Sequence, residues 1–164
     1  MKYKIRIIIF LLIAAYFGYK AYQTFFYTPE IEWKKLSLKT LNNQPKVLSE
    51  QDLSSAIIIF FQTWCPPCIA EMRLIQKHSQ DFQFTNIYFI TDEEIEKVES
   101  LKNRFHLYNL NFLISENNLQ TLGIDAFPSV YIVRNNKIIE SHKGAIIDET
   151  NFEDELYHLK KLLK

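Results

Sequence analysis

The hydrophobic positions along the chain form short continuous runs separated by amphipathic segments. The runs at 57–61 and 84–90 are rich in β-branched and aromatic residues, which predicts strands that are buried on both faces. A shorter run at 111–114 predicts another strand. The weak pattern between residues 28 and 56 predicts an entry segment and a short first strand around Val47.

A hairpin is predicted closer to the C-terminus. The apolar stretches 130–133 and 137–140 flank Asn135 and Asn136. Asparagine tolerates the left-handed backbone conformation that two-residue hairpin turns require, so this dipeptide indicates a tight turn between two antiparallel strands.

Apolar residues at helical spacing predict helices between these strands and after them. The Thr-Asp-Glu-Glu run that starts at Thr91 is typical of a capped helix start, and Gly123 is a typical helix stop. The predicted helices run from Pro66 to about Ser79, from Thr91 to about Phe105, from Asn118 to Leu122, and from Asp148 onward. Alternating strands and helices followed by a hairpin predict an α/β sandwich around a central mixed sheet.

The first 27 residues differ in character from the rest. Three basic residues within the first six precede an apolar run from Ile7 to Tyr19, the order found in secretory signals. That run would span about 20 Å as a helix, whereas Ile5 to Phe26 would cross the roughly 30 Å hydrocarbon core of a bilayer. We therefore predict an uncleaved anchor over 1–27 and a single domain over 28–164. A cleaved signal peptide and a buried core helix are the alternatives.

Charge gives a predicted location and excludes one class of partner. The basic residues ahead of the apolar run favour a cytoplasmic N-terminus. The chain is then a single-pass protein of the inner membrane, with its domain facing the periplasm or another extracytoplasmic space. The formal net charge is zero, with 19 basic and 19 acidic residues. Nucleic acid is therefore not an expected partner, because it requires a concentrated basic face.

The two cysteines of the chain, Cys65 and Cys68, are the strongest indication of chemistry. A disulfide between them closes a very short loop and would stabilise the fold by only about 2 kcal/mol, against roughly 3 to 5 kcal/mol for long loops. Haem attachment needs a histidine after the second cysteine, and position 69 is Ile. A zinc site needs about four ligands, and the histidines are scattered at His78, His106, His142 and His158. We expect no metal and no cofactor beyond a redox-active Cys65–Cys68 disulfide.

The position of the pair assigns a role to each cysteine. Cys65 would lie at a helix N-terminus, where the helix dipole and free N–H groups stabilise a thiolate, so it is the predicted nucleophile. Cys68, one turn further on, is the predicted resolving thiol. Pro66 and Pro67 have no N–H to offer, which leaves the Cys68 amide as the nearby donor. We infer that Cys65 is less acidic than in strongly oxidising proteins and that an N–H at position 66 would make the disulfide more oxidising.

Two motifs in this order carry a resemblance to a known family. The segment Trp64-Cys-Pro-Pro-Cys68 follows an apolar strand, and Phe127-Pro128-Ser129 precedes another. Together they resemble the thioredoxin superfamily over roughly residues 45–160. The resemblance implies a thioredoxin-like three-layer sandwich and a cis Phe127–Pro128 bond packed against the cysteines. It also implies that substrate is bound by Trp64, Pro66, Phe127 and Pro128, with backbone hydrogen bonds from Phe127.

A finer likeness concerns the residues after the second cysteine. Cys68-Ile-Ala-Glu71 is similar to the Cys-x-x-Glu of the membrane-anchored TlpA, ResA and CcmG group, reductants linked to cytochrome c maturation. This implies that Glu71 assists proton transfer, a role suited to a partly buried carboxyl group. The implied partners are client proteins with cysteine pairs, with apocytochrome c as a candidate, and a membrane electron-donor protein.

The sequence also departs from the family pattern. Ile59 occupies the position of the buried aspartate of cytoplasmic thioredoxins, which leaves Glu71 as the candidate proton relay. Phe127 is bulkier than the residue usual before this proline, so the substrate groove is expected to differ. Two other functions stay open: a disulfide oxidase or isomerase of the same fold, and a metallochaperone or redox-sensing module that binds copper(I) through the thiolates.

Overall fold

One mixed sheet organises the protein in the computed structural model, which describes residues 2–25, 31–82, 85–146 and 150–163. Its strands are β1 (Leu38–Thr40), β2 (Pro45–Lys46), β3 (Ser55–Phe60), β4 (Asn86–Thr91), β5 (Asn111–Ser115), β6 (Ser129–Arg134) and β7 (Lys137–Lys143). The spatial order is β2-β1-β5-β4-β3-β6-β7. The central strands β3, β4 and β5 run parallel, and each outer strand pairs antiparallel with its neighbour.

Helices cover this sheet unequally. The α-helices are α1 (Lys2–Phe25), α2 (Pro66–Lys77), α3 (Ile95–Phe105) and α4 (Phe152–Leu163). Side chains of α2, α3 and α4 share one core cluster with one face of the sheet. In the described residues, the other face is covered by the short 3-10 helices Trp33–Lys35 and Leu119–Leu122 and by neighbouring loops. The α/β sandwich with a central mixed sheet is confirmed, although its third layer is thin.

The continuous apolar runs are explained by burial on both faces. In β3, Ile57 and Ile59 point to the helical side, while Ile58 and Phe60 point to the opposite core cluster, because successive strand side chains alternate. All four are at most 1% exposed. The apolar run of β3 thus leads the chain into the centre of the molecule directly before the cysteines.

The C-terminal hairpin follows the sequence prediction closely. Asn135 and Asn136 both have positive φ, at 51° and 64°, and connect β6 to β7. Positive φ at both central residues is the requirement of the hairpin turn that asparagine favours. Gly123 ends the short helix after Asn118 with φ of 80°, so this predicted stop is also confirmed.

Other predicted boundaries differ from the structure. Val47 is exposed and lies just after β2, and the first strand is β1. Thr91 does not cap a helix: it stays in β4, paired with Ile114, and α3 begins after Glu94, which makes no side-chain cap bond. Strand pairing with β5 therefore overrides the local capping pattern at Thr91. The predicted helix start at Asp148 lies outside the described residues, and α4 begins at Phe152.

The N-terminal helix α1 extends over 24 residues. Its described side chains are exposed, including large apolar ones such as Phe10 and Leu12. Across the described residues, no helix combines the length and apolar character that a membrane crossing needs, so the predicted spanning anchor is not confirmed. The predicted boundary between residues 27 and 28 remains a prediction.

A polar network fastens the segment before β3 to the sheet. Asp52 accepts hydrogen bonds from the Tyr88 hydroxyl at 2.6 Å, the Ser49 backbone N–H at 2.8 Å and Lys46 Nζ at 3.0 Å. Burial alone would raise the pKa of Asp52, but these donors outweigh it and hold that pKa well below its usual range. Burial, and then the bond to the Asp52 carboxylate, raises the pKa of Tyr88. The network therefore stabilises the charged form of Asp52 in the folded state.

Candidate active site

The cysteine pair lies where β3 ends and α2 begins. Cys65 is the N-cap of α2 and Cys68 lies in its first turn. A disulfide joins them, with an S–S distance of 2.07 Å and Cα atoms 5.3 Å apart. Both side chains are buried, and their exposure of 2% and 0% scarcely distinguishes the predicted nucleophile from the predicted resolving thiol. The surrounding residues must therefore determine which sulfur reacts with a partner.

The cap of α2 has an unusual donor set. The backbone N–H of Cys68 donates to Cys65 Sγ at 3.2 Å. Pro66 and Pro67 occupy the first two helical positions and have no N–H. The Cys68 amide is thus the nearby donor, as predicted from the two prolines. A thiolate at Cys65 would receive less backbone stabilisation than at an ordinary helix N-terminus.

The second motif lies on the strand beside the cysteines. The Phe127–Pro128 peptide bond is cis, as the resemblance implies. Ser129, the next residue, pairs with Phe60 at the end of β3, which brings this loop beside the segment that leads to Cys65. The Pro128 carbonyl accepts a hydrogen bond from the Gly144 N–H at 2.7 Å. The loop is therefore held from both neighbouring strands.

An aromatic pair joins the two motifs at the surface. The rings of Trp64 and Phe127 meet edge-to-face, with centroids 6.4 Å apart and planes at 85°. Trp64 is 69% exposed, whereas Phe127 is half-buried and packs against the core cluster that contains both cysteines. Pro66 is exposed and Pro128 is buried. The structure thus brings together the four residues that the resemblance assigns to substrate binding, and their roles remain predictions.

Glu71 is a buried carboxylic acid one turn after Cys68. It is 1% exposed, and its Oε1 accepts a hydrogen bond from the Ile146 N–H at 2.9 Å. Ile146 lies after β7, so this contact connects α2 to a segment far away in sequence. The helix places Glu71 on the same side as Cys68, because residues three apart are neighbours on a helix. This arrangement suits the proton-transfer role, which remains a prediction.

A pair of carboxylates that was not among the predicted site residues lies beside the turn that precedes Cys65. Thr63 donates to Glu93 from its backbone N–H and from its hydroxyl. Gln62 Nε2 donates to Asp92 Oδ1 at 2.8 Å. The sequence signal was available: β3 and β4 are parallel neighbours, and the residues that follow parallel strands meet at one edge of the sheet.

This arrangement can perform dithiol–disulfide exchange. Two cysteines three residues apart at a helix N-terminus can form a mixed disulfide through one sulfur and release it through the other. A buried carboxylic acid lies within the same helix, and an aromatic surface lies beside the pair. The fold and this site define a thioredoxin-like protein, and the Cys65–Cys68 pair is the redox-active disulfide of a thiol–disulfide oxidoreductase.

Comparison with protein families assigns the chain more narrowly. The family model described as Redoxin matches residues 28–156, so the chain belongs to the Redoxin family. The thiol-disulfide oxidoreductase ResA of Bacillus thuringiensis (strain Al Hakam) is 25% identical over 177 residues, covering 96% of this chain and 94% of that protein. The thioredoxin-like protein YneN of Bacillus subtilis (strain 168) is 24% identical over 153 residues, covering 85% of this chain and 88% of YneN.

Solved structures support the fold. A secreted Mycobacterium tuberculosis disulfide oxidoreductase, homologous to E. coli DsbE, superposes with a TM-score of 0.62 at 14% identity, covering 77% of this chain and 96% of that one. StoA from Bacillus subtilis superposes with a TM-score of 0.58 at 16% identity, covering 78% and 95%. At this level of identity the likeness concerns the fold alone.

Proposed function

We propose that this oxidoreductase reduces disulfides in client proteins outside the cytoplasm. The observation that carries the proposal is the cap of α2, where Pro66 and Pro67 leave the Cys68 N–H as the donor to Cys65 Sγ. Weak stabilisation of the thiolate raises the free energy of the reduced pair relative to the disulfide. A pair of this kind gives up its electrons readily and therefore acts as a reductant.

The reaction proceeds in two exchanges. The Cys65 thiolate attacks one sulfur of the client disulfide, whose S–S bond breaks as a mixed disulfide forms, and the released client thiolate takes up a proton. Cys68 then loses its proton and attacks Cys65 Sγ. The client leaves with two thiols, and the enzyme keeps the Cys65–Cys68 disulfide. Two electrons have moved to the client, so a membrane electron-donor protein must reduce the enzyme for the next cycle.

Glu71 is the proposed proton acceptor for Cys68. Its carboxyl group is buried one helical turn from Cys68 and is oriented by the Ile146 N–H. A carboxylate on the same face of a helix as a thiol can act as a general base and accept the proton of that thiol. Glu71 therefore suits the step in which the buried resolving thiol must lose a proton.

The substrate surface consists of the exposed Trp64, its aromatic partner Phe127 and the exposed Pro66. Trp64 offers a large exposed ring, and the half-buried Phe127 precedes the cis Pro128. We assign to these residues the binding of the extended segment of the client that carries its disulfide. The backbone of Phe127 would pair with that segment, and Pro128 would keep it close to Cys65.

We also propose that α1 attaches the domain to the outer face of the inner membrane. Basic residues start the helix, and its apolar side chains from Ile7 to Tyr22 are exposed. Fractionation of cells that express the full chain tests this location, together with protease treatment of spheroplasts. We expect the chain in the membrane fraction and its domain to be cleaved from outside. Recovery in the cytoplasmic fraction, with protection from protease, would contradict it.

Trapping tests the proposed clients. The Cys68→Ala variant can form the mixed disulfide through Cys65 but cannot resolve it, so clients should accumulate as covalent adducts that dithiothreitol releases. Cys65→Ala combined with Cys68→Ala is the matched control. We expect extracytoplasmic proteins with cysteine pairs, with apocytochrome c as the client class that the family resemblance favours. Two results would count against a protein-disulfide substrate. The first is an equal amount of adducts with the double variant, and the second is the absence of adducts while Cys65 remains reactive.

A further inference from the structure

The turn that carries Cys65 is closed by its own backbone. The Cys65 N–H donates to the Gln62 carbonyl at 3.1 Å. This hydrogen bond closes a turn with Thr63 and Trp64 at its centre, directly before the first turn of α2. Contacts to Gln62 or Thr63 therefore restrain the backbone that carries Cys65.

Glu93 holds the middle of this turn with both carboxylate oxygens. Oε2 accepts the Thr63 backbone N–H, and Oε1 accepts the Thr63 hydroxyl at 3.0 Å. Both side chains are half-buried, and hydrogen bonds to a carboxylate are stronger than neutral ones. The Glu93 N–H in turn donates to Thr91 Oγ1 at 3.2 Å, which fixes the start of the Glu93 loop on β4.

Asp92 links the same turn to the other half of the site. Its Oδ1 accepts from Gln62 Nε2 at 2.8 Å, and its Oδ2 accepts from the Leu119 N–H at 2.9 Å. Leu119 begins the short helix that leads toward Phe127 and Pro128. One carboxylate thus joins the segment before the cysteines to the segment before the cis proline.

We propose that Asp92 and Glu93 are positioning residues for disulfide exchange. Glu93 fixes the turn that carries Cys65, and Asp92 keeps that turn in register with the Phe127–Pro128 loop. Their effect should be largest in the reduced enzyme. In the oxidised enzyme the disulfide adds a covalent restraint on Cys65, and in the reduced enzyme the turn depends more strongly on its hydrogen bonds. The inference rests on exchange activity at Cys65 and extends it to residues that do not touch the substrate.

The test compares Glu93→Ala, Glu93→Gln and Glu94→Ala in the full chain. Glutamine can keep both contacts, with its oxygen accepting the Thr63 N–H and its NH2 donating to the Thr63 hydroxyl oxygen, but it has no charge. Glu94 is the matched control, because its side chain is 73% exposed, makes no cap bond and forms an exposed ion pair with Lys97 of its own helix at 3.6 Å. The measurements are the rate of reduction of a small aromatic disulfide by the reduced enzyme and the equilibrium constant with glutathione.

We expect Glu93→Ala to slow the reaction about tenfold and to shift the glutathione equilibrium severalfold toward the enzyme disulfide, as the loss of both hydrogen bonds to Thr63 predicts. In Glu93→Gln, the reduction rate and the glutathione equilibrium constant should both return close to those of the wild type. Glu94→Ala should match the wild type in both measurements. Asp92→Ala should shift both measurements in the same direction as Glu93→Ala.

Two results would overturn the proposal. The first is a Glu93→Ala enzyme with the rate and the equilibrium constant of the wild type. The second is a Glu93→Gln enzyme as impaired as Glu93→Ala, because charge and not position would then be responsible. Should Glu93→Ala fold poorly, Thr63→Val removes the hydroxyl contact alone and should show a smaller shift in the same direction. A wild-type enzyme that reduces no disulfide would refute the exchange activity itself. That outcome is distinguishable from the two Glu93 results above.

Discussion

The backbone N–H of Cys68 lies 3.2 Å from the Sγ of Cys65 and donates to it across the first turn of α2. The side chain of an N-cap residue accepts from the second or third residue of its helix. Here the third residue is Cys68 and the second is Pro67. Cys68 thus supplies the cap bond, and Pro67 occupies the other position from which an N–H could reach the Cys65 sulfur.

Replacing Pro67 should therefore change the redox properties more than replacing Pro66. Pro67→Ala supplies an N–H at the second helical position, and a further hydrogen bond to the Cys65 thiolate stabilises the reduced form. We expect the reduction potential to rise by about 20–30 mV, the equivalent of roughly 1 to 1.4 kcal/mol.

Pro66→Ala is the matched control for that prediction. Both prolines are exposed, so neither change should disturb the core. An N–H at the first helical position is poorly placed to donate to Cys65 Sγ. We therefore expect a smaller rise in the reduction potential for this variant. Redox titration against glutathione measures both variants. An unchanged or lowered potential in Pro67→Ala would contradict the account of the cap.

Glu71→Gln should slow exchange near neutral pH without unfolding the protein. Glutamine can still accept the Ile146 N–H but cannot take up a proton. We expect about a 10- to 100-fold loss in the rate of the step that Cys68 performs, at the lower end of general acid–base effects. The pH–rate profile of mixed-disulfide resolution measures this. A profile that matches the wild type in both height and shape would remove Glu71 from the mechanism.

Trp64→Ala should weaken the binding of protein substrates specifically. The exposed ring and its edge-to-face partner Phe127 offer apolar surface that a protein client can bury. KM for reduction of a protein disulfide should rise severalfold while the rate with a small disulfide stays the same. Tyr157→Ala, which removes a similarly exposed aromatic side chain on α4, should change neither. Equal effects of Trp64→Ala on both substrates would argue against a binding role.

Asp52→Asn should destabilise the fold in a pH-dependent manner. The pKa of Asp52 is lower in the folded protein than in the unfolded chain, so its contribution is present above the unfolded pKa of about 3.9 and is lost as the pH falls through the folded pKa. We expect a loss of about 1–3 kcal/mol in the free energy of unfolding at pH 7. The difference from the wild type should shrink below about pH 4. Urea unfolding at pH 7 and below about pH 4 measures the difference in unfolding free energy between the variant and the wild type. A difference that does not change with pH would contradict the assigned cause.

The sequence was informative where a local pattern and the tertiary structure agree. The β-branched and aromatic run before the cysteines indicates a buried strand, and Asn135–Asn136 indicates a turn, because each residue type suits its backbone conformation. Strand β2 lies at the edge of the sheet with β1 next to it, and both are short with little apolar pattern, so the sequence does not locate them. Thr91 was misplaced because its capping pattern is local, while its pairing with Ile114 is not.

The candidate site likewise contains some contacts that follow from local sequence and others that depend on the tertiary structure. The cysteines, the prolines and Glu71 lie on one helix, and their arrangement follows from helical spacing. Asp92 and Glu93 contact Gln62 and Thr63 across thirty residues of sequence, a contact that becomes visible once β3 and β4 are known to be parallel neighbours. The Ile146 contact to Glu71 depends on where the segment after β7 returns, which the sequence pattern does not indicate.

The reduction potential of the Cys65–Cys68 pair tests the central claim most directly. The full chain would be equilibrated with defined ratios of reduced and oxidised dithiothreitol or glutathione, and the fraction of disulfide measured by thiol alkylation. A reductant of client disulfides should have a value near that of thioredoxin, about −270 mV. A value near −120 mV, the range of a strong disulfide oxidant, would contradict the proposed function.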